Sequence, residues 1–216
     1  MAIDFGAVTT IQTPRGPLQG RFHHAPGSTV GVIWVGGFDG GFDGPADAIF
    51  GDLAEDLVAL GISSLRLDYR LKTSPGIVEE AAYDVLHGIA FLTAQGMADV
   101  GLVGHSFGAA VVITAGVASP HVKTVVSLSA QTAGAQGVRN LAPKSILLVH
   151  GTEDIRLSPQ LSQWLYQQAR EPKKLVLLEG ARHSLRQSRE ELRTLVRDWL
   201  VRELADSSKR SAQNIS

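Results

Sequence analysis

From residue 30 onward the chain alternates short apolar runs with longer segments of helical length, and this alternation restricts the fold more than any other feature. The predicted order is strand 30–35, helix 47–60, strand 62–67, helix 77–93, strand 99–103, helix 107–118 and strand 122–128. A Gly-, Ala- and Gln-rich loop follows, then strand 145–150, helix 159–169, strand 174–178 and helix 187–204. Strands that alternate with helices in this way are joined by right-handed crossovers into a mostly parallel sheet with helices on both faces. The expected class is therefore α/β. Ahead of this pattern, residues 7–13 and 18–24 flank Pro14-Arg15-Gly16-Pro17 and read as an N-terminal antiparallel hairpin. Residues 1–204 read as one domain with no internal repeat or linker, and 205–216 as a polar, fraying tail.

Composition narrows the function classes. With 216 residues, 44% of them apolar, the chain can bury one substantial core. The formal charge is −1 and the basic residues are scattered, so neither nucleic acid nor a membrane surface is indicated as a partner. Cysteine is absent, which excludes disulfides, thiolate metal sites and thiol nucleophiles. No histidine pair has a metal-ligand spacing, so no metal is expected. The opening Met1-Ala2-Ile3-Asp4-Phe5 lacks a basic region followed by an apolar one, and no apolar run approaches the ~20 residues of a membrane span. A soluble, cytoplasmic protein is expected.

In sheets of this kind, ligands gather beyond the carboxyl ends of the strands, and reactive side chains are sought there. The segment Val100-Gly101-Leu102-Val103-Gly104-His105-Ser106-Phe107-Gly108-Ala109-Ala110-Val111-Val112 reads as a buried strand, a Gly-x-Ser-x-Gly turn and an apolar helix. On so tight a turn the residues flanking Ser106 by two positions cannot carry a Cβ without clashing. Ser106 is the candidate nucleophile, the competing reading being a small residue that lets the helix pack close to the sheet. Asp154 follows the strand at 145–150, and His183 follows the one at 174–178. A serine hydroxyl needs an imidazole to take its proton, and the imidazole needs a carboxylate to orient it, so each residue type required stands at a strand end. Asp154 could instead cap the next helix, with Glu153 as the acid, and Ser158 before Pro159 is another cap candidate. His183 could also be a solvated loop residue. His23, His24, His87 and His121 read as structural or surface residues, while His105 and His150 lie nearer the site but read as packing residues.

The Gly104-His105-Ser106-Phe107-Gly108 elbow, the Gly151-Thr152-Glu153-Asp154 turn and the Gly180-Ala181-Arg182-His183 loop together resemble the α/β-hydrolase superfamily in its small, capless, dienelactone hydrolase-like form. The resemblance spans residues 31–204. It implies Ser106 as nucleophile, Asp154 as acid and His183 as base, although dienelactone hydrolases proper use a cysteine. One oxyanion-hole amide is expected from Phe107. The second should come from Trp34-Val35-Gly36-Gly37-Phe38-Asp39-Gly40-Gly41, where the family's His-Gly-x pattern places x at Phe38 and has its histidine replaced by Gly36. A phosphate cradle is the competing reading of this loop, which has neither Gly-x-Gly-x-x-Gly nor a Walker lysine.

Only about fifteen residues separate residues 128 and 145, too few for a helical cap, so an open cleft is expected. Phe42, Leu71, Leu157 and Leu185, along with Phe38, are candidates for its apolar, substrate-binding walls. Arg70, Lys72, Arg156, Arg182 and Arg186 fall at the same rim and raise the idea of an anionic substrate. The expected activity is that of a serine hydrolase cleaving an ester or thioester of a small-molecule acyl substrate through an acyl-enzyme, without metal or organic cofactor. Activity should rise with pH as the histidine base loses its proton, near ~6.5 for an ordinary imidazole. The alternative is a non-catalytic ligand-binding or interaction module on the same scaffold. An exposed sheet edge and the terminal helix could support a homodimer.

Overall fold

A computed structural model describes residues 6–72 and 77–213, the side chains of 205–213 excepted. Eight strands form one sheet: β1 (Ala7–Ile11), β2 (Leu18–His23), β3 (Val30–Val35), β4 (Ser63–Asp68), β5 (Asp99–His105), β6 (Val122–Leu128), β7 (Ser145–Gly151) and β8 (Lys173–Leu178). Their spatial order is β1-β2-β4-β3-β5-β6-β7-β8. The β1-β2 and β2-β4 pairs are antiparallel, and every later pair is parallel. The parallel strands therefore end at one edge, where β5, β7 and β8 deliver the loops that carry Ser106, Asp154 and His183.

Side-chain alternation explains why both faces need helices. In β3, Ile33 and Val35 join one core, while Val30, Val32 and Trp34 join the other. Helices α2 (Val78–Ala94), α3 (Phe107–Ala118) and α4 (Gln160–Gln168) cover the first face, through residues such as Val85, Val111 and Leu165. Helices α1 (Pro45–Ala59) and α5 (Arg189–Gln213) cover the second, through Leu53, Leu57, Val196 and Leu200. Burying each such side chain contributes roughly 1.5–3 kcal/mol, so the two cores hold the sheet from both sides.

Three segments add detail to the sequence reading. Helix α5 runs on through residues 205–213, which contain neither glycine nor proline to stop a helix already started; residues 214–216 lie outside the described residues. Helix α1 begins at Pro45, and its first turn is not helical: Ala46, Asp47 and Ala48 have φ of 50°, 56° and 65°. That turn is held by the Ala46 N–H donating to Ser184 O at 2.8 Å and by Arg189 Nε donating to Ala46 O at 3.1 Å. The loop after β6 contains one short 3-10 turn, Gln136–Asn140, which packs Val138 into the core and forms no cap.

Candidate active site

The loop that carries Ser106 is built by close approach. Ser106 has φ 56° and ψ −114°, a conformation that L-residues adopt at a cost of roughly 1–3 kcal/mol. A Cβ on Gly104 would lie 2.1 Å from Gly108 O, and one on Gly108 would lie 2.2 Å from Gly36 O and 2.9 Å from the Tyr69 hydroxyl. Both flanking glycines are thus required, the second because α3 begins directly against the loop after β3. Tyr69 pins that loop by donating to Gly36 O at 3.2 Å. The Ser106 N–H donates to Leu128 O at 2.8 Å, tying the turn to the end of β6.

His183 Nε2 is 3.1 Å from Ser106 Oγ, and His183 Nδ1 is 2.7 Å from Asp154 Oδ2. The geometry brings the three sequence candidates together as a continuous relay across the ends of β5, β7 and β8. A Cβ on Gly151 would lie 2.1 Å from Ala181 O, so the absence of a side chain there lets the Asp154 and His183 loops touch. Asp154 does not cap α4, whose start carries no side-chain cap bond. Its Oδ1 accepts the amides of Arg156 and Leu157, both at 2.9 Å, which leaves Oδ2 for His183. Burial alone would raise the Asp154 pKa, but the Leu157 amide, the His183 ring and the Arg156 amide together hold it below the ordinary value. Glu153, the other candidate acid, faces solvent 3.9 Å from Arg182.

His105 and His150 do more than fill space. His105 Nε2 donates to the backbone carbonyl of His183 at 2.9 Å, and the two rings lie 5.0 Å apart. Burial lowers the His105 pKa to about 4, so the ring is neutral near pH 7 and adds no positive charge beside His183. His150 Nε2 lies 3.1 Å from Asp154 Oδ2. The sequence signal for both was adjacency: one precedes the serine, and the other stands four residues before the aspartate.

The Phe107 N–H is one of the donors that every helix start leaves unpaired. Phe38 occupies the second position of a turn closed by Gly40 N–H on Gly37 O at 3.0 Å, a turn that does not use the Phe38 N–H. An added Cβ on Gly37 would be 3.7 Å from Ser106 Cβ, which places this loop beside the nucleophile. The Phe38 and Phe107 rings meet edge to face at 6.2 Å.

A cleft of about 510 Å³ lies between the glycine-rich loop, the first turn of α1 and the loop carrying His183. Its wall is polar, with Asp39, Asp47, Arg156 and Arg186 beside His183. None of Phe42, Leu71, Leu157 and Leu185 borders it. Leu185 corrects the sequence reading: it is fully buried in the core beneath α1 and α5, turned inward by its own left-handed backbone at φ 57°. Phe42 lies under the Arg21 guanidinium, Leu71 is exposed, and the Leu157 backbone holds Asp154. The rim cations are largely neutralised: Arg70 pairs with Asp84 and Glu80, Lys72 with Asp68, Arg182 with Glu153, and Arg186 with Asp47. These pairs weaken the case for an anionic substrate. A larger groove over β8 and α5, about 730 Å³, contains none of the candidate site residues.

Among the described residues, no three His, Asp or Glu side chains converge as a metal site, and no helix is long and apolar enough to cross a membrane.

No protein-family model and no curated protein matches the chain. Solved structures do. Est1E from Butyrivibrio proteoclasticus is 18% identical with a TM-score of 0.76, over 93% of this chain and 99% of that one, and has also been solved with ferulic acid bound. A dienelactone hydrolase from Anabaena variabilis is 18% identical with a TM-score of 0.78, over 92% and 97% of the two chains. XC6422 from Xanthomonas campestris, described as an α/β serine hydrolase without lid, is 21% identical with a TM-score of 0.72, over 91% and 94%. The chain has the α/β-hydrolase fold in its capless form.

Proposed function

We propose that the chain is a serine hydrolase that cleaves an ester or thioester of a small-molecule acyl substrate. The observation that carries this reading is the relay itself, Ser106 to His183 at 3.1 Å and His183 to Asp154 at 2.7 Å, on a strained turn that raises the serine. Esterases and hydrolases among the structural neighbours favour the same chemistry.

In the first half-reaction, Ser106 Oγ attacks the acyl carbon while His183 Nε2 takes its proton. The carbonyl oxygen becomes negative and is held by the Phe107 and Phe38 amides. Asp154 remains ionised and stabilises the charged imidazole through Nδ1. His183 then gives the proton to the leaving oxygen or sulfur, and the C–O or C–S bond breaks to leave an acyl-Ser106. In the second half-reaction, His183 takes a proton from water and the resulting oxygen attacks the acyl carbon; the bond from that carbon to Ser106 Oγ then breaks as His183 returns the proton to Oγ, and the carboxylic acid leaves.

The test is intact-mass analysis after treatment with a fluorophosphonate. A single adduct is expected on the native chain, absent in Ser106→Ala and formed far more slowly in His183→Ala. A folded native protein that takes no adduct refutes the reading. An ester and thioester screen follows, with aromatic acyl groups included because Est1E was solved with ferulic acid bound.

A further inference from the structure

We infer that His150, locked by Ser162, is a positioning residue for Asp154: it shares the carboxylate oxygen that faces His183 and limits how strongly that oxygen holds the His183 proton. The inference rests on the triad reading above and deepens it. His150 stands near the end of β7, and its side chain is completely buried. Its Nε2 lies 2.9 Å from Leu157 O and 3.1 Å from Asp154 Oδ2, and its Nδ1 lies 2.7 Å from Ser162 Oγ on α4.

These contacts define the tautomer. A backbone carbonyl only accepts, so the proton sits on Nε2 and is shared between Leu157 O and Asp154 Oδ2. Nδ1 then presents a lone pair, and the Ser162 hydroxyl donates to it. The opposite tautomer would aim a lone pair at two buried acceptors, an arrangement costly in the absence of water. Burial also lowers the His150 pKa, which keeps the ring neutral.

Asp154 consequently receives four donors. Its Oδ1 takes the Arg156 and Leu157 amides, and its Oδ2 takes the rings of His183 and His150. Donors from four directions prevent the carboxylate from turning. They also spread its charge, and without His150 the Oδ2 charge would act on His183 alone and hold its proton more tightly. The groups facing His183 are Asp154, Ser106 and the neutral His105 ring, with Arg156, Arg186, Asp39 and Asp47 along the same cleft and unaltered in every variant; those facing His150 are Asp154, Ser162 and, across the carboxylate, His183. A ring that only filled the core would affect stability and leave the pH dependence of the site unchanged.

The experiment measures the pH profile of Ser106 labelling by a fluorophosphonate in the wild type, His150→Met and His150→Gln. It adds ring nitrogen NMR of the histidines in the wild type and Ser162→Ala. The acid limb of His150→Met is expected to move upward by about half a pH unit or more. His150→Gln, whose amide nitrogen can take the place of Nε2, should return it towards the wild type. The His150 ring should show the Nε2–H tautomer through neutral pH in the wild type and in Ser162→Ala alike, because Leu157 O and Asp154 Oδ2 both require the proton on Nε2. A folded His150→Met with an unmoved acid limb overturns the inference, whatever its melting temperature, as does an Nδ1–H tautomer in the wild type. If His150→Met fails to fold, the two NMR spectra decide. A wild type that takes no label overturns the triad reading and this inference with it, whereas a labelled wild type with an unmoved limb overturns this inference alone.

Discussion

Acid should destabilise this protein partly through one ring, that of His105, and the size of the effect can be worked from its surroundings. Burial lowers its pKa from 6.5 to about 4, against the smaller opposing effect of its hydrogen bond to His183 O. In the unfolded chain the ring regains an ordinary value near ~6.5. Between those two values the unfolded chain binds a proton that the folded chain refuses, so folding stability falls as pH falls. The contribution is complete above about pH 6.5 and is lost progressively towards about pH 4, a total of about 3 kcal/mol with a steepest slope of about 1.4 kcal/mol per pH unit. The perturbation is His105→Gln, which keeps an amide donor for His183 O but cannot titrate. Urea unfolding of both chains from about pH 7 down to about pH 4.5 measures the difference, in which the carboxylates and His150 largely cancel. The native protein should lose about 2.4 kcal/mol more than the variant across this window. Parallel stability curves would refute the argument that His105 is kept neutral by burial.

Three further outcomes follow from the geometry. Ser106→Gly should abolish labelling yet raise stability by about 1 kcal/mol, read as a melting temperature a few degrees higher, because glycine relieves the positive φ at the elbow. Leu185→Ala should cost about 2–4 kcal/mol in urea unfolding while Ser106 still labels, as expected of a core residue; an unchanged stability with altered substrate preference would restore it to the cleft wall. In Gly108→Ala the new methyl meets Gly36 O at 2.2 Å and must displace either α3 or the loop that carries Phe38. A labelling time course slowed by at least about tenfold is expected, and wild-type labelling would show that the approach of α3 to this loop is unimportant.

Much of the fold was legible because its signals are local. The stretch Val30 to Val35 reads as a strand buried on both faces, and α3 and β6 begin and end where the sequence places them. The turn residues at 14–17 mark the hairpin, and the short loop after β6 rules out a cap. The misjudged features depend on neighbours distant in sequence. Nothing local to Leu185 reveals that its left-handed backbone turns it into a core formed with α1 and α5. The five rim cations look alike in the sequence, yet the carboxylates opposite three of them come from other parts of the chain: Asp84 for Arg70, Glu153 for Arg182 and Asp47 for Arg186. His150 reads as a packing residue in the sequence because its link to the site runs through Ser162, Leu157 and Asp154 at once.

The sequence by itself determined the order and kind of the elements and which three residues are candidates for the site, since periodicity and turn chemistry act over a few residues and each candidate follows a recognisable strand. Only the tertiary structure decided how those residues meet. Ser106 and His183 are 77 positions apart, and His183 and Asp154 are 29 apart. Contact between them depends on the side-by-side order of β5, β6, β7 and β8 and on the approach that Gly151 permits. The oxygen of Asp154 that faces the base, the tautomer of the ring behind it and the charges left unpaired at the rim follow from that packing, because hydrogen bonds and burial depend on neighbours in space rather than along the chain.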